Sequence, residues 1–311
     1  MWLNVTATIL SLAVFLAGLK IIRDGLHAMS HGRLPRILQA LAKTPTRGIV
    51  TGIVSTALLQ SSAAVTAISV GMVASGSMIF RDALGVVLGA NVGATVTPQL
   101  LTLNLWALIV PCMFLGMAAT LSGRERWRQP GRALVGFSIL FISLQALTSA
   151  LHPLTQSSWF TSVLSATGHN VWIAAFMGVL ASSLVQSSTA VTVITMALVS
   201  DASVPIATGI AIVLGANVGT CLTSVLAAIG QSRPAQQVAL AHVLLNLGGV
   251  MLALPLLQPF ASLVTGMTPV PSQQIADAHT LFNFLSTLVV WPFTNQFATL
   301  IERLLPDQRH A

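Results

Sequence analysis

One stretch of the chain occurs twice. Residues 52–97 and 178–223 align without a gap at a constant shift of 126 positions, and 19 of the 46 aligned pairs are identical. The identities concentrate in two motifs, Gln-Ser-Ser at 60–62 and 186–188, and Gly-Ala-Asn-Val-Gly at 89–93 and 215–219. Both motifs place amides, hydroxyls and glycines inside apolar sequence, where polar groups are costly unless they have partners or a function. The repetition predicts two homologous halves, each with a polar cluster in apolar surroundings.

Composition assigns the chain to membranes. Hydrophobic residues make up 54% of the 311 positions and charged residues 7%, too few to cover a water-soluble globule. The net charge of +7 comes from basic residues in short loops between apolar runs, as the positive-inside rule describes. No basic stripe is interleaved with aromatic residues, which argues against nucleic acid as a partner. We therefore predict an all-α polytopic protein embedded in a lipid bilayer.

The two halves carry opposite topological signals. Residues 3–22 form a first span, expected to stay in the mature protein. The segment after it should be cytoplasmic, because it carries Lys20, Arg23, Arg33, Arg36, Lys43 and Arg47. The aligned segment 146–173 has no Lys, Arg, Asp or Glu and should lie on the opposite side. This contrast predicts two inverted-topology repeats, with the N-terminus outside and the C-terminus in the cytoplasm.

The repeats set the expected organisation of the chain. The first transmembrane repeat covers residues 1–126 and the second covers 127–260. Residues 261–311 form an extracytoplasmic linker, a last transmembrane helix and a short cytoplasmic tail. About seven crossings are expected, and the run 83–121 should divide into two of them near Pro98.

Two further segments interrupt this pattern. Residues 48–79 and 174–200 carry Gln-Ser-Ser in the middle of an apolar run. A polar centre is unsuited to a plain lipid-facing helix, so each segment is predicted to be a re-entrant hairpin or broken helix buried among other helices.

The hydroxyls and amides of these segments have two interpretations. A single Ser or Thr in a membrane helix often bonds a carbonyl of its own helix. Here the same polar set occurs in both halves, which favours a binding site whose two walls converge near the midplane if the halves are inverted. The matching residues are Gln60, Ser61, Ser62 and Thr66 in the first half and Gln186, Ser187, Ser188 and Thr192 in the second.

The chemistry of such a site suits an oxyanion together with a hard cation. Backbone N–H groups at half-helix N-termini, aided by hydroxyls, hold a tetrahedral oxyanion without a fixed cation, and neither Gln-Ser-Ser segment contains Lys or Arg. Hydroxyls and free carbonyls suit Na⁺. The two ions would relieve each other's charge in a low dielectric, which favours a symporter over a channel for a single ion.

The Gly-Ala-Asn-Val-Gly motifs have a packing role and a polar one. Gly85, Gly89 and Gly93 are four residues apart, a spacing that lets membrane helices pack closely; Ala211, Gly215 and Gly219 match them. Asn91 and Asn217 need partners, and they either brace the hairpins or offer a carbonyl to an ion.

A second similarity joins residues 241–246 and 278–283. In each stretch a His and an Asn are four residues apart, His242 with Asn246 and His279 with Asn283, so they share a helix face. These histidines either pack between helices or act as proton-sensitive or substrate-facing groups.

The paired motifs resemble a known family. Gln-Ser-Ser-Ala and Gln-Ser-Ser-Thr, each followed by Gly-Ala-Asn-Val-Gly, look like the duplicated signature of the type II sodium-dependent phosphate cotransporters, in their bacterial branch. Residues 18–26 and the His-Thr-Leu-Phe-Asn stretch at 279–283 are also similar, so the resemblance covers nearly the whole chain. It implies inverted repeats, re-entrant hairpins carrying Gln-Ser-Ser, phosphate as substrate and Na⁺ as coupling ion. Similarity to the bacterial branch also implies the cytoplasmic membrane of a bacterium as the location.

The chain departs from that family at three positions. Ala63 and Thr189 stand where the family often has a third Ser, and Cys221 occupies the position equivalent to Thr95. The two halves are therefore not expected to hold the same number of ions. Some bacterial relatives also carry a cytoplasmic regulatory domain, so such regulation here is expected to need a separate partner.

These considerations give a specific expectation. Sodium-coupled phosphate symport by alternating access is predicted, with phosphate held by Gln60, Ser61, Ser62, Gln186, Ser187, Ser188 and Thr189. Na⁺ coordination or bracing is assigned to Thr66, Asn91, Thr95, Thr192, Asn217 and Thr223. The rivals are phosphate export, transport of another anion, a channel, and a non-transporting phosphate sensor. No enzyme motif, cofactor or transition-metal spacing is present in the sequence. Assembly into a homo-oligomer stays open.

Overall fold

The computed structural model describes residues 2–30, 32–158, 162 and 170–307, and within them the regular elements are helices. The predicted all-α class is thereby confirmed. The sixteen α-helices described are α1 (Trp2–Ser30), α2 (Arg33–Leu41), α3 (Pro45–Leu59), α4 (Ser62–Ala74), α5 (Phe80–Gly93), α6 (Val96–Thr102), α7 (Trp106–Leu121), α8 (Glu125–Thr155), α9 (Val171–Val185), α10 (Ser188–Ser200), α11 (Ile206–Thr220), α12 (Leu222–Ala228), α13 (Arg233–Ala253), α14 (Leu257–Met267), α15 (Pro271–Val290) and α16 (Thr294–Leu304).

Six helical segments of the described chain are long and apolar enough to cross a membrane, which confirms a multi-pass membrane protein. They are Asn4–Ser30, Phe80–Thr102, Glu125–Thr155, Ile206–Ala228, Arg233–Met267 and Pro271–Leu304. The sequence predicted about seven crossings, and α7 accounts for the difference because it is apolar but has 16 residues. The run 83–121 divides at residues 103–105, so the prediction of a division near Pro98 was wrong; Pro98 lies in the first turns of α6, where a proline costs no helix hydrogen bond.

The equivalent helices α1 and α8 pack along their length in opposite directions. Thr8 near the start of α1 donates to the carbonyl oxygen of Ala150 near the end of α8, at 3.0 Å. Gly25 near the end of α1 lies against Ala133 near the start of α8. The expected end of the first span at residue 22 was too early, because α1 continues to Ser30 and carries Arg23 inside the helix.

Each Gln-Ser-Ser motif separates two helices. Gln60 and Gln186 end α3 and α9 with left-handed backbone angles, φ 56° and 54°, and a new helix starts two residues later in each half. Ser61 and Ser187 cap α4 and α10 by accepting a hydrogen bond from the backbone N–H three residues on. The predicted breaks are therefore confirmed at the motif itself.

The glycines of the second motif join each hairpin to the following helix. A Cβ on Gly89 would lie 2.0 Å from the carbonyl oxygen of Ile49, and one on Gly215 would lie 1.8 Å from that of Ala175. Gly93 and Gly219 make the same approach one turn later. Contacts that advance in step along both helices make α5 parallel to α3 and α11 parallel to α9. The close-packing role expected of these glycines is confirmed.

A second duplication organises the C-terminal part. Residues 233–267 align with 270–304 at a shift of 37, and 12 of the 35 pairs are identical, including both His–Asn pairs. Each copy is a helix, a Pro-containing 3₁₀ turn and a shorter helix. Gln237 donates to the carbonyl oxygen of Leu305 at 2.8 Å and Gln274 to that of Thr268 at 2.7 Å, and each acceptor follows the other copy. This reciprocal pairing is what a local two-fold relation produces.

The two copies pack against equivalent sets of helices. α13 packs against α4, α5 and α12, and α15 packs against the equivalent helices α10, α11 and α6. The segment expected to be a linker from residue 261 is helical as far as Met267, so the connection between the two copies is short.

Candidate anion site between the hairpin tips

The two hairpin tips, residues 60–62 between α3 and α4 and residues 186–188 between α9 and α10, meet in one small cavity. The space between them measures about 10 Å³, room for about one water molecule. It is lined by Arg23, Ser61, Ser62, Ala63, Gln186, Ser187, Ser188, Thr189 and Thr220. Six of the seven residues predicted to bind phosphate are thus brought together from the two halves of the chain.

The N-termini of α4 and α10 both open at this cavity. Ser61 Oγ accepts from the Ala64 N–H and Ser187 Oγ from the Ala190 N–H, each at 3.2 Å. First-turn N–H groups have no partner within their own helix, and the helix dipole places partial positive charge there. Two such ends at one cavity form an environment that favours an anion.

Arg23 bridges the two tips. Its Nε donates to the carbonyl oxygen of Gln60 and its Nη2 to Ser187 Oγ, both at 3.0 Å. The sequence placed Arg23 in a cytoplasmic segment and predicted an anion site without a fixed cation. The second of these expectations was wrong, because α1 runs past the tips and delivers a guanidinium to them.

Thr220 is a second lining residue that the sequence did not indicate. Its Oγ1 accepts from the Ser188 N–H at 2.9 Å and lies 2.9 Å from Ser182 Oγ. Position 94, its equivalent in the first half, is Ala. Arg23 likewise has Ser149 as its equivalent. Because neither residue is repeated in the other half, the duplicated motifs do not indicate them. The signal for Arg23 in the sequence is a charged residue within an apolar helix.

Several predicted residues lie away from the cavity. The Gln60 side chain turns from it, donating to the Ala57 carbonyl and accepting from Thr97 Oγ1. Thr95 and Thr223 donate to carbonyl oxygens three residues back, each at 2.8 Å. These two hydroxyls follow the ordinary pattern of Thr in helices.

Thr66 and Thr192 lie one turn beyond the tips. Both are fully buried, and neither hydroxyl oxygen has a hydrogen-bond partner among the described residues. Buried hydroxyls are normally paired, so an unpaired oxygen at the same position of both halves calls for an explanation.

Asn91 and Asn217 connect the glycine-packed helices to the C-terminal repeat. Asn217 Oδ1 accepts from His279 Nε2 at 3.1 Å and from Asn283 Nδ2 at 3.3 Å. Asn91 lies 3.3 Å from His242 Nε2 and bonds Asn246 at 3.4 Å. The residues that the sequence singled out separately therefore form two equivalent Asn–His–Asn clusters, which brace α5 and α11.

The duplicated halves correspond to two matches with one family. Residues 14–149 and residues 148–268 each match the model of the Na⁺/Pi-cotransporter family. The chain belongs to this family.

Relatives span bacteria and mammals. The chain is 32% identical to the uncharacterized protein YqeW of Bacillus subtilis over 255 residues, which cover 82% of this chain and 83% of YqeW. It is 28% identical to YjbB of Salmonella typhimurium, whose name proposes inorganic phosphate export, over 82% of this chain and 47% of YjbB. A 64-residue stretch, 21% of this chain and 10% of the relative, is 39% identical to sodium-dependent phosphate transport protein 2A of Oryctolagus cuniculus. The chain thus spans about half the length of YjbB. No solved structure gave a significant match.

Proposed function

We propose that this protein carries inorganic phosphate across the cytoplasmic membrane of a bacterium together with Na⁺, by alternating access around the cavity between the hairpin tips. The observation that carries the proposal is the meeting of two capped helix N-termini and one guanidinium in a single cavity. The family and the names of the relatives support phosphate as the anion.

The donors at the cavity match the needs of a tetrahedral oxyanion. Phosphate oxygens accept hydrogen bonds from helix N-termini and from guanidinium groups, and Arg adds a compensating charge. We assign phosphate binding to Ser61, Ser62, Ser187, Ser188 and Thr189, with Arg23 as the counter-charge and Gln60 and Gln186 at the two turns. A cavity of about 10 Å³ is too small for phosphate, so binding requires the tips to separate.

Na⁺ coupling is supported by the family and by two buried oxygens. The hydroxyl oxygens of Thr66 and Thr192 lack donors and acceptors among the described residues, and Na⁺ is coordinated by neutral oxygens of this kind. We assign Na⁺ as a co-transported ion to these threonines. Asn91 and Asn217 act as braces in this proposal, because their amides are already bonded to His and Asn.

The arrangement of the helices supports inverted repeats. Equivalent helices α1 and α8 are antiparallel, which places the basic segments 32–47 and 124–132 at the same end of the pair. The base of the second hairpin is tied to the other end of α8 through Asp201 and Thr155. With the basic end in the cytoplasm, the two hairpins enter from opposite sides and the N-terminus lies outside.

The proposal is tested by phosphate flux in proteoliposomes. We expect saturable accumulation of labelled phosphate under an inward Na⁺ gradient and little under an equal K⁺ gradient. Equal accumulation under both gradients would remove Na⁺ from the proposal, and absence of flux from folded, inserted protein would leave phosphate sensing as the better assignment.

Export is the second candidate, since YjbB is named for it. Vesicles preloaded with labelled phosphate separate the two directions. Efflux that requires Na⁺ inside the vesicles fits the symporter, because the two ions leave together. Efflux against a phosphate gradient without Na⁺ fits an exporter driven by another ion.

A further inference from the structure

The two Asn–His–Asn clusters are equivalent in position, and they differ in the partner of the histidine Nδ1. His242 Nδ1 lies 2.9 Å from Ser224 Oγ. His279 Nδ1 is buried and has no partner among the described residues. The shift of 126 that relates the two halves places Pro98 where Ser224 stands, so the hydroxyl is absent by sequence.

The amides of the second cluster fix the proton of His279. Asn217 Nδ2 donates to the backbone carbonyl of Val213 at 2.9 Å, and Asn283 Nδ2 donates to that of His279 at 2.8 Å. Because a carbonyl only accepts, these bonds orient both amides. Asn217 Oδ1 must then face His279, so Nε2 carries the proton and Nδ1 is a bare acceptor.

The same reasoning applies to His242, with a different outcome. Asn246 Nδ2 donates to the His242 carbonyl at 3.0 Å, so Asn246 Oδ1 is left to accept from Asn91 Nδ2. Asn91 Oδ1 then faces His242 Nε2. Nδ1 is again the acceptor, and here the Ser224 hydroxyl can donate to it. Ser224 Oγ also lies 2.7 Å from the Cys221 carbonyl oxygen. The hydroxyl can therefore turn to that carbonyl and accept from Nδ1 once the imidazole is protonated.

From this difference we propose that His279 Nδ1 is a proton-binding site, and that protonation there releases the contact between α11 and α15. In the structure described, an added Nδ1–H would meet no acceptor in a fully buried place, which is costly. Acid therefore favours conformations in which α15 has moved from α11. The cluster at His242 accommodates either protonation state by rotation of one hydroxyl and stays closed.

The charged and titratable groups on α15 and on the helices around it are few, and most have partners of their own. α15 packs against α5, α6, α10, α11, α13 and α14. Of these, α5 contributes Arg81, which pairs with Glu302, and Asp82 in its first turn; α13 contributes Arg233, which bonds Gln236, and His242. The other four helices carry no charged or titratable side chain. On α15 itself, Asp277 accepts from Gln99 at 2.9 Å.

The test adds a hydroxyl beside His279 in one variant and removes the hydroxyl beside His242 in another. Melting temperature is measured on purified protein between about pH 7.5 and about pH 5.5, the range in which histidine titrates. Pro98→Ser should supply the missing hydroxyl and reduce the acid-induced loss of melting temperature by about 2–4 °C relative to Pro98→Ala. Ser224→Ala should create a second bare nitrogen and steepen the loss by a similar amount. His279→Gln should make the loss shallower and insensitive to residue 98.

Equal slopes for Pro98→Ser and Pro98→Ala, with Ser224→Ala matching the wild type, would overturn the proposal. If Pro98→Ser does not fold, Ser224→Ala and His279→Gln decide between the same two outcomes. The comparison of two residue-98 variants cancels the other histidines, including His152 at its exposed ion pair.

The consequence for transport rests on the proposed function. Phosphate flux of the wild type should change with pH, and Pro98→Ser should weaken that dependence at least about 3-fold relative to Pro98→Ala. A wild-type protein that carries no phosphate would refute the proposed function, while the melting experiment would still decide whether His279 binds the proton. Normal flux with identical pH dependence in both residue-98 variants would refute the proton site alone.

Discussion

The two hairpin tips have the same backbone and different partners. In each, a left-handed Gln ends one helix and a Ser caps the next. The second tip receives the Arg23 Nη2 on Ser187 and the Thr220 hydroxyl on the Ser188 backbone. The first tip meets Arg23 through the Gln60 carbonyl, and Ala94 replaces Thr220. Duplication therefore built the scaffold, while the charge and one lining hydroxyl come from unduplicated residues.

The location of the site explains this asymmetry. A small cavity between two equivalent hairpin tips has room for one guanidinium group. Two guanidinium groups from equivalent positions would repel each other in a space of about 10 Å³. Arg23 in one half and Ser149 in the other satisfy that limit.

The close glycine packing that both halves share should give the largest loss of folded protein when it is disrupted. Gly89→Ala and Gly215→Ala both place a Cβ within about 2 Å of a carbonyl oxygen, as the distances of 2.0 and 1.8 Å require. Overpacking of this kind costs about 1–3 kcal/mol or more, and backbone cannot yield as a side chain can. We expect either variant to lose most monodisperse protein in size-exclusion chromatography. Gly248→Ala, in a helix where nothing lies within 4 Å, should fold like the wild type, and equal yields for all three would contradict this packing.

Arg23→Gln tests the charge supplied by one half. Loss of a charged hydrogen-bonding partner costs about 1.5–3 kcal/mol, so phosphate affinity should fall roughly 10- to 150-fold. Phosphate-dependent thermal stabilisation and uptake both measure it. Lys20→Gln is the matched control, since Lys20 is exposed and pairs with Asp24 one turn away. A similar loss in both variants would mean that the effect is one of general charge.

The comparison of the tips shows how far the sequence could lead. The repeats, both helix breaks and the convergence of Ser61, Ser62, Ser187 and Ser188 could be predicted, because duplicated polar residues in apolar sequence mark positions that both halves need. Arg23 could not be placed, because its distance from the tips depends on how α1 packs against α8. The pairing of Asn91 and Asn217 with the histidines also depends on helix packing, although each member was visible in the sequence.

Ser187→Ala and Ser61→Ala compare the tips directly. Each removes a helix cap worth about 1 kcal/mol. Ser187 also accepts from Arg23, so its loss leaves one guanidinium hydrogen bond unmade. We expect Ser187→Ala to raise the KM for phosphate roughly 5-fold more than Ser61→Ala, with similar melting temperatures for the two variants. The opposite ranking of KM would show that Arg23 leaves Ser187 when phosphate binds.

The bases of the hairpins differ as well, with a smaller expected effect. Ser75, at the base of the first hairpin, bonds within its own turn, whereas Asp201 at the equivalent position accepts from Thr155 and Ser203 and pairs with His152. Burial raises the pKa of Asp201, but the hydrogen bonds from Ser203, Thr155 and His152 outweigh it, so its pKa lies below the usual value of 3.8.

A carboxyl with a lowered pKa stabilises the fold fully above that usual value and loses its contribution as pH falls through the lowered one. Asp201→Asn should therefore lower the melting temperature by about 2–4 °C at neutral pH, and the difference should vanish at the acid limit. Asp24→Asn, which removes an exposed pair, should shift it by less than about 1 °C. A deficit in Asp201→Asn that persists unchanged into acid would show that the side chain's shape, and not its charge, holds the second hairpin to α8.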